Sequence, residues 1–165
     1  MSTWEIIRRT VVAEFSDLAD VEQFTRVVIR LLIAVLLGGL LGLQRERQGK
    51  EAGIRTHMLV AGGSALFVLV PLQAGMSEDG LSRVLQGLVA GVGFLCAGSI
   101  LKLASEEQVR GLTTAAGIWM TAAIGMAAGL GREMTAVVSA VLVLVILELE
   151  GPFKRWGLRA RDKID

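Results

Sequence analysis

Five long stretches of this chain carry almost no charge, and they limit its possible folds more than any other feature. They cover residues 27–43, 58–76, 84–101, 112–130 and 134–149 of a chain that is 53% apolar and only 20% charged. About 20 residues of α-helix cross the hydrocarbon core of a bilayer, where only helices and closed barrels satisfy their own backbone. The alternating strands of a barrel are absent from the sequence. We therefore predict an all-α, polytopic bundle of five transmembrane helices.

Basic residues are divided unequally between the two faces that five spans would define. The first and third loops and the C-terminal tail hold 11 of them, and the other face holds six. Cytoplasmic loops carry an excess of Lys and Arg, so we predict an outside N-terminus and a cytoplasmic C-terminus. Trp4, Ile7 and Val11 recur at helical spacing before the first span. The predicted division is an outer amphipathic segment at 1–26, the transmembrane domain at 27–150 and a basic cytoplasmic tail at 151–165.

Three of the apolar stretches contain a pair of glycines four residues apart. The pairs are Gly38 with Gly42, Gly87 with Gly91, and Gly125 with Gly129. In lipid, such small residues let two helix backbones approach closely. The pairs are therefore predicted to pack helices together, either inside the bundle or at a homodimer face or pore lining.

Residues that could support catalysis or bind a metal are few. His57 is the only histidine, and Ser64 lies seven residues later on the same helix face. The rise of an α-helix separates those two residues by about 10 Å, whereas a nucleophile and its base need about 3 Å. We therefore expect no enzyme activity. The carboxylates nearest the spans, Glu46, Asp79 and Glu148, are weak candidates for a cation such as Mg²⁺, and no cofactor is required.

Some charged and polar residues fall within the apolar stretches or at their ends. Arg30 lies about one turn inside the first stretch, where a charge is costly unless it reaches the interface or finds a partner. It either snorkels to the outer interface or lines a polar vestibule with Arg83 and Gln86.

The stretch "KEAGIRTHMLV" at residues 50–60 is predicted to be the cytoplasmic entrance to the second span. Arg55 marks its boundary, and Thr56 is a candidate helix cap. His57 either makes a structural hydrogen bond, to Glu148 or to a carbonyl of the third loop, or senses cytoplasmic pH. Glu148 and Glu150 are candidate ion-pair partners for arginines of the first loop.

Three segments follow one another along the chain, and they read "RLLIAVLLGGLLGLQRERQGKEAGIRTHMLV", "SRVLQGLVAGVGFLCAGSILK" and "VRGLTTAAGIWMTAAIGMAAGLG". Together and in this order they resemble the bacterial MgtC/SapB membrane family. The likeness covers residues 28–150 and departs from the usual pattern at Gln44, Gly80 and Cys96. By this resemblance the functional candidates are Arg30, Arg45, Glu46, Arg55, Thr56, His57, Arg83, Gln86, Arg110, Thr113 and Thr114.

The resemblance implies a bacterial inner-membrane protein with five spans, linked to magnesium-limited growth and to survival inside host cells. Many members carry a further soluble domain, and since this chain ends about 15 residues after the fifth stretch, we expect a short form without it. Well-known members bind and restrain the membrane ATP synthase. Two functions remain open: a membrane partner or regulator, and a transporter or channel, with Mg²⁺ as a candidate ion. The expected partners are lipid, a second copy of the chain and a membrane protein such as ATP synthase, and not nucleic acid.

Overall fold

The computed structural model describes residues 2–16, 20–102 and 109–149, which form six α-helices and one small strand pair. The helices are α1 (Thr3–Glu14), α2 (Val21–Arg47), α3 (Ile54–Gln73), α4 (Glu78–Ser99), α5 (Leu112–Gly129) and α6 (Glu133–Glu148). Between α4 and α5, β1 (Leu101–Lys102) pairs antiparallel with β2 (Val109–Arg110). Glu150 and the predicted tail lie outside the described residues.

Four of the helices, α2 to α5, are long and apolar enough to cross a membrane. Their polar termini carry recognisable capping groups. The Asp20 side chain accepts a hydrogen bond from the backbone N–H of Glu22 at 3.2 Å, and Ser77 does the same for Gly80 at 3.3 Å. These caps satisfy backbone donors that the first turn of a helix leaves free. The length and apolar composition of these four helices confirm the prediction of a helical membrane protein.

The fifth predicted span corresponds to α6, which has 16 residues and is shorter than the four candidate spans. It follows α5 through a tight turn in which Gly131 has a φ of +74°. That left-handed backbone is open to glycine at little steric cost. The reversal sends α6 back along the bundle.

The core of the bundle lies where α2, α3 and α5 meet, with α6 packed against α2 and α5. Its central side chains are small: Ala34, Ala61, Ala65 and Ala128 are all 0% exposed. Small side chains allow the helix axes to come close in lipid, where apolar burial supplies little drive for association. In contrast, α4 lies at the periphery, and Val92 is its only buried residue.

The first loop is shorter than predicted, because helices extend into both of its ends. Residues 44–47 complete α2, and α3 begins at Ile54. Two basic residues in the last turn of α2 favour this extension, since cations stabilise a helix C-terminus. The predicted cap at Thr56 is wrong. Gly53 is the N-cap of α3, and Thr56 lies exposed in its first turn.

Candidate functional site

A group of polar side chains lies where the C-terminal ends of α2 and α6 meet the N-terminal ends of α3 and α5. We call it the polar cluster, and it consists of Gln44, Arg45, Gln48, His57, Thr114 and Glu148. It unites residues from opposite ends of the sequence at one end of the bundle.

Arg45 is the centre of the polar cluster and is 0% exposed. Its Nη1 donates to Gln48 Oε1 at 3.2 Å, and its Nη2 lies 3.5 Å from Thr114 Oγ1. An arginine buried in a membrane protein is costly unless its donors find acceptors. The guanidinium therefore joins the end of α2 to the start of α5.

His57 is buried beside this arginine, on the same face of α3 as Ala61 and Ser64. Its Nδ1 lies 3.0 Å from the carbonyl oxygen of Gly53. Since a carbonyl only accepts, Nδ1 carries the proton. The other ring nitrogen faces Gly117 of α5, where an added Cβ would lie 3.7 Å from it. Among the described residues, the hydrogen bond of His57 therefore goes to Gly53 and not to Glu148, while most of the third loop lies outside the described residues.

Glu148 meets the cluster from α6. Its Oε1 lies 3.5 Å from Gln44 Nε2, and Gln48 Nε2 donates to the Leu147 carbonyl at 3.4 Å. Within the described part of the chain, Glu148 accepts from an amide and is not paired with an arginine. The predicted ion pair with a first-loop arginine is replaced by this amide contact, because Gln44 belongs to the last turns of α2 and faces α6.

Glu46 has a structural contact of its own. Its Oε2 accepts a hydrogen bond from the backbone N–H of Ile54 at 3.0 Å, so it caps α3 from the end of α2. A carboxylate is favourable at a helix N-terminus. A Cβ placed on Gly53 would lie 2.6 Å from this carboxylate oxygen, so a larger residue there would make the Glu46 side chain shift.

Four of the predicted packing glycines lie at close contacts between helices. A Cβ placed on Gly38 would lie 2.6 Å from the His57 carbonyl oxygen, and one on Gly129 would lie 2.6 Å from that of Ala65. Gly42 is equally close to Ile54, and Gly125 faces the Ala61 backbone. Backbone contacts of this kind hold α3 tightly between α2 and α5.

The remaining pair of glycines, Gly87 and Gly91 of α4, has a different environment. A Cβ on Gly87 or Gly91 would meet no described atom within 4 Å, so these glycines of α4 make no close helix contact with the described part of the chain. Close packing inside the bundle is therefore not seen for this pair among the described residues, and its alternative role at a homodimer face or pore lining stays a prediction. The packed face of α4 is a different one, marked by Val92 and by Cys96, whose Sγ lies 3.2 Å from the Ala115 carbonyl.

Arg30 lies at the opposite end of the bundle from the polar cluster. Its Nη1 donates to the Gly129 carbonyl at 3.2 Å, and its Nε lies 3.7 Å from a carboxylate oxygen of Glu133. It therefore contacts the turn between α5 and α6. Arg83 and Gln86 lie exposed on α4, and among the described residues the polar contacts of Arg30 go to the α5–α6 turn and not to them. The vestibule stays a prediction.

The remaining candidate residues are dispersed. Arg55, Thr56 and Thr113 are exposed, and Arg110 lies opposite Leu101 in the strand pair. Asp79 lies in the first turn of α4, in a different element from Glu46 and Glu148. Among the described residues, no three His, Cys, Asp or Glu side chains form a group that could hold a metal ion.

Two members of the polar cluster, Gln44 and Gln48, were not singled out as site residues by sequence reasoning. Both lie within four residues of Arg45 along α2. Extending the first helical stretch beyond residue 43 would have placed Gln44, Arg45 and Gln48 near one another at its end, since residues three and four apart are neighbours on a helix.

The helices and the polar cluster define a polytopic α-helical membrane protein. Residues 31–156 match the model of the MgtC family. Protein SrpB of Synechococcus elongatus is 49% identical over 129 residues, which cover 72% of this chain and 71% of that protein. No solved structure gives a significant match.

Two further relatives are longer than the region they share with this chain. The putative magnesium transporter YhiD of Escherichia coli K12 is 42% identical over 129 residues, covering 74% of this chain and 59% of its own length. Protein MgtC of Salmonella typhimurium LT2 is 40% identical over 117 residues, covering 71% and 49% respectively. The chain thus spans about half to three fifths of these two proteins. It belongs to the MgtC family.

Proposed function

We propose that this chain is a bacterial inner-membrane protein that serves magnesium homeostasis by binding and regulating other membrane proteins. We assign it no catalytic step. Membership in the MgtC family supports the link to magnesium, as does the word "magnesium" in the name of the Escherichia coli relative.

The buried Arg45 is the observation that favours a binding role over conduction through the bundle. A dication moving along the bundle axis would meet a fully buried guanidinium at the polar cluster. Like charges repel strongly where water is scarce. The close backbone contacts at Gly38, Gly125 and Gly129 leave little room for a path between α2, α3 and α5. The exposed faces of the helices are then the surfaces through which the protein acts.

We also propose five crossings, with the N-terminus outside and the C-terminus in the cytoplasm. The contacts of α6 support the fifth crossing, because Glu133 meets Arg30 at one end and Glu148 meets Gln44 at the other. Fourteen residues of α2 separate Arg30 from Gln44, a rise of about 21 Å, and α6 covers a similar distance beside them. The unequal distribution of basic residues supports the orientation.

Cysteine labelling in intact cells tests this orientation. In a Cys96→Ala background, Arg132→Cys in the α5–α6 turn should react with a membrane-impermeant maleimide added outside. Glu51→Cys in the first loop should react only after the cells are opened. Labelling of Glu51→Cys from outside would show that the orientation is the reverse of the one proposed.

Co-purification tests the binding role. The tagged full chain is recovered from native membranes of cells grown at low magnesium, with an unrelated tagged membrane protein at equal expression as the control. We expect a membrane protein in fixed ratio to the chain and absent from the control, and the membrane ATP synthase is the first candidate from the family resemblance. Recovery of the chain with no other protein would contradict the proposal.

A transporter is the second candidate function, and one feature favours it. A cleft of about 340 Å³ opens between the start of α2 and the end of α3, and Asp20 and Glu22 are among its lining residues. Carboxylates of this kind attract cations. However, Arg26 and Arg30 line the same cleft, and Arg26 pairs with Glu22. Transport is tested by ion flux into vesicles.

A further inference from the structure

One face of α4 points away from the rest of the chain and carries charged and polar residues within a candidate span. We call it the α4 seam, and it consists of Asp79, Arg83, Gln86, Ala90, Gly93 and Ala97. All six residues are exposed, whereas Val92 and Cys96 pack on a different face of the helix. A Cβ on Gly93 would meet no described atom within 4 Å.

The spacing of the α4 seam is that of a coiled-coil contact. Its residues follow one another at intervals of four, three, four, three and four positions. This alternation keeps one stripe of a helix facing a partner helix in a left-handed pair. Ala90, Gly93 and Ala97 are small enough to allow close approach in the membrane part of the stripe.

Gln86 indicates what covers the seam. It lies about 12 Å along α4 from the start of the helix, well inside a span of 22 residues. A polar amide facing lipid at that position is unfavourable, and Ser, Thr, Asn and Gln side chains in such helices form hydrogen bonds across to a neighbouring helix. An amide both donates and accepts, so it can bond to a copy of itself.

The charges of the α4 seam also fit a second copy of this chain as the partner. Among the described residues, neither Asp79 nor Arg83 has an ion-pair partner. Copies of one chain cross the membrane in the same direction, so a two-fold pair of α4 helices is parallel and sets each seam residue near its own copy. Asp79 of one copy then lies about one turn from Arg83 of the other, which offsets the repulsion between the two arginines.

We propose that the protein forms a parallel homodimer through the α4 seam, with Gln86 bonded to Gln86 of the second copy and Arg83 paired with the second copy's Asp79. This proposal does not rest on the proposed function, since a dimer can form whether the protein regulates a partner or transports an ion.

Disulfide cross-linking of the full chain in native membranes tests the proposal. In a Cys96→Ala background, single cysteines replace Ala90 and Ala97 on the seam, and Val89 and Leu95 on other exposed parts of α4 serve as controls. On mild oxidation we expect covalent dimers from Ala90→Cys and Ala97→Cys and few from the controls. Equal yields at all four positions, no dimer at either seam position, or adducts to a different protein at the seam would overturn it.

The contributions of the Gln86 amide and of the charges on Asp79 and Arg83 to dimer affinity are measured on the purified protein in detergent. Gln86→Leu should raise the dissociation constant of the dimer about 3- to 30-fold, whereas Gln86→Asn should retain most of the affinity. Asp79→Arg with Arg83→Asp should dimerise better than either single change. Because these side chains are exposed, thermal melting should be unchanged, which separates loss of the dimer from loss of the fold. Equal dimer affinity for Gln86→Leu and the unchanged chain would overturn the assignment of Gln86.

Discussion

Arg45 lies fully buried where the end of α2 meets the start of α5, and its guanidinium contacts Gln48 and Thr114. Arg45→Ala should lower the free energy of unfolding by about 3 kcal/mol, because it removes buried packing and buried hydrogen bonds together. Arg47→Ala is the matched control, since Arg47 is exposed in the same turn. Its effect should stay within about 0.5 kcal/mol. Unfolding by SDS titration in mixed micelles measures both, and similar values for the two variants would contradict the role given to Arg45.

The hydrogen bond from His57 Nδ1 to the Gly53 carbonyl is a second residue-scale feature. In His57→Asn the amide nitrogen can take the place of Nδ1, whereas His57→Leu has no donor. We therefore expect the leucine variant to be less stable than the asparagine variant by about 1 kcal/mol. Thermal melting in detergent compares them. If both variants melt at the same temperature, the hydrogen bond contributes nothing and His57 serves only to fill space.

At the scale of the helices, the glycines of α4 and α5 should respond differently to alanine. Gly125→Ala places a Cβ against the Ala61 backbone, and overpacking of this kind costs about 1–3 kcal/mol. Gly91→Ala meets no described atom within 4 Å, so it should be neutral. Circular dichroism, recorded while the temperature is raised, measures the difference in stability between the two variants. Equal loss of stability in both variants would contradict the packing assigned to α3 and α5.

Local patterns in the sequence predicted the helices well and their contacts less well. The apolar stretches predicted α2 to α5 because hydropathy and helix length depend on neighbouring residues only. The partners of Arg30 and Arg45 depend on how distant helices align, which no local pattern contains. Glycine spacing likewise predicts that a helix can pack closely, but Gly125 and Gly91 differ only in what lies opposite them.

The end of α2 shows the same limit at the site itself. Arg45 and Glu46 were singled out from the sequence but placed in a loop, because charged residues usually mark the end of a span. In the structure both belong to α2, where Arg45 turns inward and Glu46 reaches the start of α3. Two adjacent charged residues thus have different roles, and only the three-dimensional arrangement separates them.

At the scale of the whole molecule, we propose that the bundle acts through its surfaces and conducts no ion through its interior. The buried charge of Arg45 and the backbone contacts around Gly38 and Gly125 carry that claim.

The most direct test is Mg²⁺ uptake into sealed vesicles that contain the purified full chain and a trapped Mg²⁺-sensitive dye. Inward Mg²⁺ gradients are imposed with and without a membrane potential, and empty vesicles provide the baseline. We predict uptake no faster than in empty vesicles under either condition. Uptake that rises with the amount of protein and saturates with Mg²⁺ concentration would contradict the account and favour the transporter.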